Sequence, residues 1–289
     1  MAEKKQVGDV TGVAMTAHEW DGIREYDKPM PRWWLITFII TVIWGLGYTV
    51  IYPAWPLING ATPGLLGYAS RAEVAKDIAA VNNENATVEA KLLSTPIGAV
   101  ADDPDLARFA TAGGGAVFRT YCSQCHGAGA QGAKGYPNLQ DDDWLWGGSL
   151  DDIYQTIAHG VRWEEDDDTR YSEMPKFGID EILEPAEISD VVQFVLSLSA
   201  SEHNAEQAVR GAVVFEGQCS ACHGESGEGD RTMGAPNLSD ALWLYGGDEA
   251  AITQTVAEAR YGVMPAWQGR LGEATVKELA LYIHALGGG

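Results

Sequence analysis

The chain has 289 residues and a formal net charge of −22 at pH 7, from 41 acidic and 19 basic side chains. This acidity disfavours nucleic acid as a partner, because its phosphates would be repelled, and the length suggests about two domains with extra segments. The acidity either keeps the domains soluble or suits docking to a basic protein, and composition alone does not separate these explanations.

The first predicted element is a membrane-spanning helix. Residues 33–52 (WWLITFIITVIWGLGYTVIY) are 20 positions without a charge. At 1.5 Å per residue this helix extends about 30 Å, the thickness of the hydrocarbon layer. Aromatic residues stand near both ends and Pro53 follows, so the predicted span is 33–53. A cleaved signal peptide is disfavoured, because the apolar stretch starts late and no small-x-small site follows it.

Flanking basic residues predict the orientation of this span. Five of them precede it, and the first one after it is Arg71. The positive-inside rule places segment 1–32 in the cytoplasm and residues 53–289 outside, which in a bacterium means a single-pass protein of the inner membrane with periplasmic domains. The five residues are Lys4, Lys5, Arg24, Lys28 and Arg32.

A connector, 54–108, follows the span and contains one predicted helix over about 71–93. Four valine and isoleucine residues fall roughly on one face of it, which predicts that it packs on another surface or holds the next domain away from the membrane. The triplet 113–115, which is all glycine, is interpreted as a break where the next domain begins. The four residues are Val74, Ile78, Val81 and Val88.

All four cysteines fall in two Cys-x-x-Cys-His pentads, 122–126 and 219–223. This spacing lets two thiols bond the vinyl groups of one haem while the adjacent His reaches the iron. A redox dithiol would follow a strand in a βαβ pattern, and a zinc site would leave both histidines unexplained. Two covalently bound haem c groups are therefore predicted, held by Cys122, Cys125, His126, Cys219, Cys222 and His223.

The sequence around the pentads is duplicated. The blocks GAVFRTYCSQCHG, PNL, WLWGG and YSEMP recur in the same order as GAVVFEGQCSACHG, PNL, WLYGG and YGVMP. This order predicts two tandem domains, 109–200 and 206–289, which we call the first and second repeat. Each repeat is predicted to be all-α, with a helix entering the pentad, a short helix after WLxGG (149–159, 249–259) and a closing helix (185–198, 274–286) that packs on the first helix.

The second iron ligand is predicted to be methionine. Met174 and Met264 each precede proline at matching places in the repeats, and a thioether opposite histidine raises the reduction potential of haem c. Met233, which has no counterpart in the first repeat, is the rival in the second, while His159 and His284 are weaker alternatives. An iron closed by His and Met has no open position, which favours electron transfer over catalysis.

Three short blocks resemble a known family. WDGI at 20–23 and PRWW at 31–34 are similar to the cytoplasmic lead-in of the di-haem CcoP/FixP subunit (subunit III) of cbb3-type cytochrome c oxidases. YPAWP at 52–56 resembles that family's exit from the membrane, and the pentads and Met-Pro pairs also match. The resemblance implies one transmembrane helix followed by two tandem class I cytochrome c domains, with no catalytic residues on this chain.

The resemblance also implies a role in microaerobic respiration. Electrons from a soluble or membrane-bound cytochrome c would pass through both haems toward the mono-haem subunit and the catalytic haem b/copper subunit, which reduces O₂ to water. Whether each domain's Met serves the other domain's haem stays open at this stage. A second hypothesis is a free-standing electron shuttle, anchored in membrane lipid, that serves other periplasmic reductases. A third is a di-haem peroxidase.

Overall fold

The computed structural model describes residues 12–287. The chain divides into two compact units, Met1–Glu84 and Asn85–Gly289. Lys4 and Lys5, which entered the prediction of orientation, lie outside the described residues.

The first unit contains the predicted membrane helix, α1 (Arg32–Ile51). None of its residues is buried, as expected for an apolar helix that faces lipid. Its threonines hydrogen-bond back to the helix: the Oγ1 atoms of Thr37 and Thr49 donate to the carbonyls of Trp33 and Leu46 at 2.9 Å. These bonds satisfy hydroxyl groups that a hydrocarbon environment would leave without partners.

Short elements flank α1. In the lead-in, Trp20 and Ile23 exchange both backbone hydrogen bonds, at 3.0 and 2.8 Å, which closes the WDGI turn. After α1, the strands β1 (Pro56–Leu57) and β2 (Gly60–Ala61) form a minimal antiparallel hairpin. The predicted connector helix is confirmed as α2 (Ser70–Ser94), which begins in the first unit and ends in the second.

The second unit is helical, as predicted. After a 3₁₀ turn at Ile97–Asp102, the helices are α3 (Pro104–Val117), α4 (Ser123–His126), α5 (Leu150–His159), α6 (Pro185–Leu198), α7 (Ala205–Gln218), α8 (Ser220–His223), α9 (Glu249–Glu258), α10 (Gln268–Leu271) and α11 (Glu273–His284). Polar residues start several of them; the Asp103 carboxylate, for example, accepts from the first-turn amides of α3.

The interpretation of the glycine triplet as a break is wrong. Gly113–Gly115 lie inside α3, and the backbone of Gly114 lies so close to the carbonyl of Glu278 in α11 that an added Cβ would overlap it. The glycines therefore permit two helices to cross at short distance. In the sequence, a run of glycines with this packing role looks the same as a turn signal.

Each closing helix packs on the first helix of the other repeat. α3 of the first repeat crosses α11 of the second, and α7 of the second crosses α6 of the first. The second crossing has the same construction as the first, because a Cβ on Gly211 in α7 would overlap the carbonyl of Asp190 in α6.

Two hydrophobic cores result from these crossings. The first core, around Phe118, combines α3 and α5 with α11, and the Phe118 ring lies 5.5 Å from that of Tyr282. The second core, around Phe215, combines α7 and α9 with α6, and the Phe215 ring lies 5.0 Å from that of Phe194. The second core thus uses a continuous stretch of chain, whereas the first is assembled from segments on either side of it.

The end of α2 is attached to the first core. Lys277 in α11 is almost fully buried, and its ammonium group donates to the carbonyls of Leu93 at 2.9 Å, Thr95 at 3.3 Å and Leu92 at 3.4 Å. These carbonyls include the terminal acceptors that a helix leaves unpaired, so the lysine caps α2 from another element.

Candidate functional site

Both pentads form one turn of helix, α4 or α8, at the end of a long helix. His126 Nδ1 lies 3.1 Å from the carbonyl oxygen of Pro137, and His223 Nδ1 lies 3.0 Å from that of Pro236. A carbonyl oxygen only accepts, so each Nδ1 carries the proton and donates it. This bond fixes the ring and leaves Nε2 with a free electron pair for a metal.

Burial sets the protonation of the pentad residues. It lowers the pKa of His126 and of His223, which favours the neutral imidazole that a metal requires. It also raises the pKa of the Cys122 and Cys219 thiols to about 11. Without a bound group these two cysteines are therefore neutral thiols at pH 7, which disfavours a reactive dithiol pair.

The predicted methionines lie in the opposite sites. Met174, from the first repeat, lines a cavity of about 230 Å³ together with Cys219, Cys222 and His223. We call this the second cavity. Met264, from the second repeat, packs against the first core, as does Cys122. The structure thus brings each pentad together with the methionine of the other repeat.

The loop that carries Met264 is attached to the end of α5. Val161 N donates to Met264 O at 2.9 Å, and Met264 N donates to Val161 O at 3.0 Å. Gly160, at φ +71°, leaves room for this contact, because a Cβ there would overlap the Met264 carbonyl. Trp267, three residues beyond Met264, donates its amide to Ile157 O at 3.1 Å.

The loop that carries Met174 is attached in the equivalent way to the end of α9. The amides of Gly178 and Ile179 both lie 3.1 Å from Ala257 O, to which they donate. Phe177, the counterpart of Trp267, is buried in the second core. The same repeat-to-repeat exchange therefore supports both methionines.

The two repeats also contact each other through their WLxGG blocks. Trp146 lies against Gly234 so closely that a Cβ on the glycine would overlap the indole ring. In the equivalent place Gly135 N donates to Leu244 O at 2.8 Å and lies against the ring of Tyr245. The third residue of each WLxGG block, Trp146 or Tyr245, thus covers the loop that follows the pentad of the other repeat.

The residues present fit a haem at each pentad. In the first core, Trp144 carries a buried indole N–H that has no acceptor in the described residues. A bound carboxylate-bearing group would satisfy such a donor. In the second cavity the lining is mainly apolar, with cysteines and histidine from α7–α8 and methionine from another segment, which is the donor set of a His/Met haem c.

The rival ligands have distinct locations. Met233 also lines the second cavity, and its carbonyl accepts a hydrogen bond from the Ser172 hydroxyl. His159 Nδ1 lies 3.1 Å from Asp166, so its ring has a carboxylate partner. Asp168 lies within reach of the same pair, but the cluster contains no group that points to a ligand beyond the hydrogen bonds of its own loop.

Sequence reasoning missed two arginines in the second cavity, Arg162 and Arg260. Arg260 lies four residues before Met264, as Arg170 lies four residues before Met174, and this matching position in the repeats was a signal that could have identified it. Arg162 has no arginine counterpart in the second repeat.

Comparison with known proteins covers almost the whole chain. Residues 12–59 match the N-terminal domain of cytochrome oxidase-cbb3, FixP; residues 111–199 match cytochrome c; and residues 206–283 match cytochrome C oxidase, cbb3-type, subunit III. The cbb3-type cytochrome c oxidase subunit CcoP of Cereibacter sphaeroides is 56% identical over 274 residues, 95% of this chain and 94% of its own. Subunit FixP of Sinorhizobium medicae is 48% identical over 100% of both chains, and FixP of Bradyrhizobium diazoefficiens is 47% identical over 100% of both.

Proposed function

The chain belongs to the family of cbb3-type cytochrome c oxidase subunit CcoP/FixP proteins, and from this premise we propose that electrons enter the oxidase through two haem c groups bound covalently to it. As a member of this family it is an electron-transfer component of the oxidase and is not catalytic alone. A haem c iron held by histidine and methionine exchanges single electrons without an open coordination position.

We propose that Cys122 and Cys125 would attach the first haem and that His126 and Met264 would supply its iron ligands. Cys219, Cys222, His223 and Met174 hold the second haem in the same way. The observation that carries the proposal is the second cavity, where Met174 lines the same space as the pentad of the other repeat.

The reciprocal contact of the WLxGG blocks supports transfer between the two sites. Trp146 belongs to the first repeat yet lines the second cavity, and no solvent layer separates it from Gly234. The two repeats therefore form one packed body, which keeps the distance between the sites fixed. Such rigidity favours electron transfer, because little reorganisation accompanies the change of charge.

The proposed partners and location follow from the family and from α1. We propose that α1 anchors the chain in the inner membrane, with segment 1–32 in the cytoplasm and the haem-binding unit in the periplasm. A soluble or membrane-bound cytochrome c would donate electrons, and the mono-haem and catalytic haem b/copper subunits would receive them.

Purification from native membranes in mild detergent tests this function. Haem staining should show covalent haem on this chain, and the subunit with haem b and copper should co-purify with it. Isolation of the chain without that subunit would instead favour the free-standing shuttle, and a high-spin haem in the half-reduced protein would favour the peroxidase.

A further inference from the structure

The uncharged part of the sequence around α1 is almost twice as long as the helix itself. Residues 33–70 are 38 consecutive positions without Asp, Glu, Lys, Arg or His, although charged residues make up 21% of the chain. Because α1 ends at Ile51, about half of this stretch lies beyond it. We call residues 52–69, which join α1 to α2, the exit segment. A membrane crossing needs about 20 apolar residues, so the crossing alone does not account for the length of the uncharged stretch.

The exit segment folds back onto the end of α1. Leu65 N donates to Val50 O at 3.0 Å, and Leu66 N donates to Ile51 O at 3.1 Å. Both acceptors are among the last four carbonyls of α1, which have no partner within the helix. Gly64, at φ +68°, permits this close approach, because a Cβ there would overlap Ile51 O. The exit segment is therefore attached to the helix through its backbone.

Hydrogen bonds within the exit segment satisfy more of its backbone. Thr62 N donates to Trp55 O at 2.9 Å, and the Thr62 hydroxyl oxygen accepts from Trp55 N at 3.1 Å, next to the paired strands β1 and β2. The residues Pro53, Pro56 and Pro63 have no N–H group that would need an acceptor. A backbone with its polar groups paired can enter an apolar medium, where each unpaired group is costly.

The exit segment has large apolar side chains that are exposed in the structure. Ile58, at the tip of the hairpin, is fully exposed, and Leu65 and Leu66 are 79% and 64% exposed. Trp55 and Leu57 are exposed as well. A group of exposed apolar side chains of this kind marks contact with a membrane or with another protein.

Two features favour lipid over a protein as the partner of these side chains. The exit segment continues without a charge from α1, and its backbone bonds hold it beside the last turn of that helix, whereas the rim of a protein interface is usually polar. The ring of Tyr68 also lies 5.6 Å from that of Tyr52, edge to face, and Tyr52 stacks on Tyr48 at 4.7 Å. Such aromatic groups are typical of the boundary between the acyl chains and the headgroups of a bilayer.

We propose that the exit segment binds the lipid bilayer, with its exposed apolar side chains inserted among the headgroups and upper acyl chains around the end of α1. This inference rests on the proposed anchoring of the chain by α1. The exit segment then restricts sliding and tilting of the helix, because either movement would bring leucine and isoleucine side chains into water.

Nitroxide labels on cysteine variants of the full-length holoprotein, in vesicles of phosphatidylethanolamine and phosphatidylglycerol, test the inference. O₂ concentrates among acyl chains and a polar nickel chelate stays in water, so the ratio of their collision rates with a label reports its depth. Labels at Ile58→Cys and Leu66→Cys should give a ratio at least about threefold higher than the label at Val213→Cys. Val213 is the matched control, because it is an apolar side chain of α7 that is 71% exposed.

Ile40→Cys, in the middle of α1, separates the two possible failures. Its label should give the highest ratio of the series, and a ratio equal to that of Val213→Cys would refute the proposed anchoring by α1. A high ratio at Ile40→Cys, with ratios at Ile58→Cys and Leu66→Cys no higher than at Val213→Cys, overturns only the insertion of the exit segment. The use of two positions in the exit segment keeps the test valid if one of these variants does not fold.

Discussion

Val161 and Met264 exchange both of their backbone hydrogen bonds, at 2.9 and 3.0 Å, although they belong to different repeats. Val161 follows α5, whose residues pack in the first core, so the backbone of the proposed ligand is attached to the site that it serves. Met264 belongs to the second repeat by sequence, but hydrogen bonds to the first repeat determine its position.

This relationship predicts which haem each methionine controls. Met264→Ala should remove the Met–iron charge-transfer band and lower the potential of the haem at Cys122, and Met174→Ala should do so for the haem at Cys219. The reason is that loss of the thioether removes the ligand that favours ferrous iron. Optical redox titration of single-haem variants of the full chain would measure both effects.

The contrary result is equally clear. If Met264→Ala changed only the haem at the second pentad, the exchange of methionines would be refuted. Met233→Ala serves as the control, because this residue lines the second cavity and tests the rival ligand directly. It should leave the charge-transfer bands of both haems in place.

Gly160→Ala should loosen the Met264 loop. The residue adopts φ +71°, and its Cβ would overlap the Met264 carbonyl, so the substitution combines backbone strain with a steric conflict. We expect a loss of stability on the order of 2 kcal/mol and weaker methionine ligation at the first haem only. Urea unfolding and the charge-transfer band would record these effects.

Gly217→Ala is the matched control for this substitution. Gly217 lies in α7 with no atom within 4 Å of its would-be Cβ. Alanine there should be neutral or should stabilise the protein by about 0.5–1 kcal/mol, since it favours helix. Equal destabilisation by both substitutions would show that Gly160 has no special role.

The duplicated blocks were sufficient to predict the helices of each repeat but not the exchange of helices between the repeats. Both closing helices have similar apolar spacing, and both first helices carry a glycine at the crossing, so each closing helix fits either partner. The choice follows from the connection: α6 ends at Leu198 and α7 begins at Ala205, and such a short link makes consecutive helices neighbours. Once α6 and α7 pack together, α3 and α11 are the remaining first and closing helices, and they pack on each other.

Glu278 gives the crossing of α3 and α11 a pH dependence. Burial, and secondarily the charge of Glu89, raise the pKa of Glu278 from 4.5 to about 7. Its stabilising contribution is therefore fully present below about pH 4.5 and is lost as the pH rises through about 7. The stability of the Glu278→Gln variant should equal that of the native protein near pH 4 and exceed it at pH 8 by on the order of 2 kcal/mol. One unit of pKa is worth about 1.4 kcal/mol, and solvent screens part of the effect.

Asp190, at the equivalent crossing of α6 and α7, provides a control of opposite sign. The Arg210 side chain, which donates to Asp190 at 2.6 and 2.7 Å, lowers the pKa of this carboxyl. Asp190→Asn should therefore lower stability at pH 7, and this difference should be lost only as the pH falls from the ordinary pKa of aspartate through the lowered pKa of Asp190. Urea midpoints of both variants from about pH 2 to pH 8 would check the two signs, and parallel pH profiles would contradict the assignment.

Lys277→Met should release the end of α2 from the first core. The methionine keeps the apolar stem but removes the ammonium donor from the carbonyls of Leu92, Leu93 and Thr95, which costs about 1–3 kcal/mol when buried acceptors lose their partner. Hydrogen exchange of the last turn of α2 should accelerate, while the spectra of both haems stay unchanged.

Lys91→Met is the control, because its ion pair with Asp103 is solvent-exposed and contributes about 0–1 kcal/mol. Exchange rates that respond equally to both substitutions would mean that Lys277 does not cap the helix, and that α2 is held by its apolar contacts at Val88 and Leu92 alone.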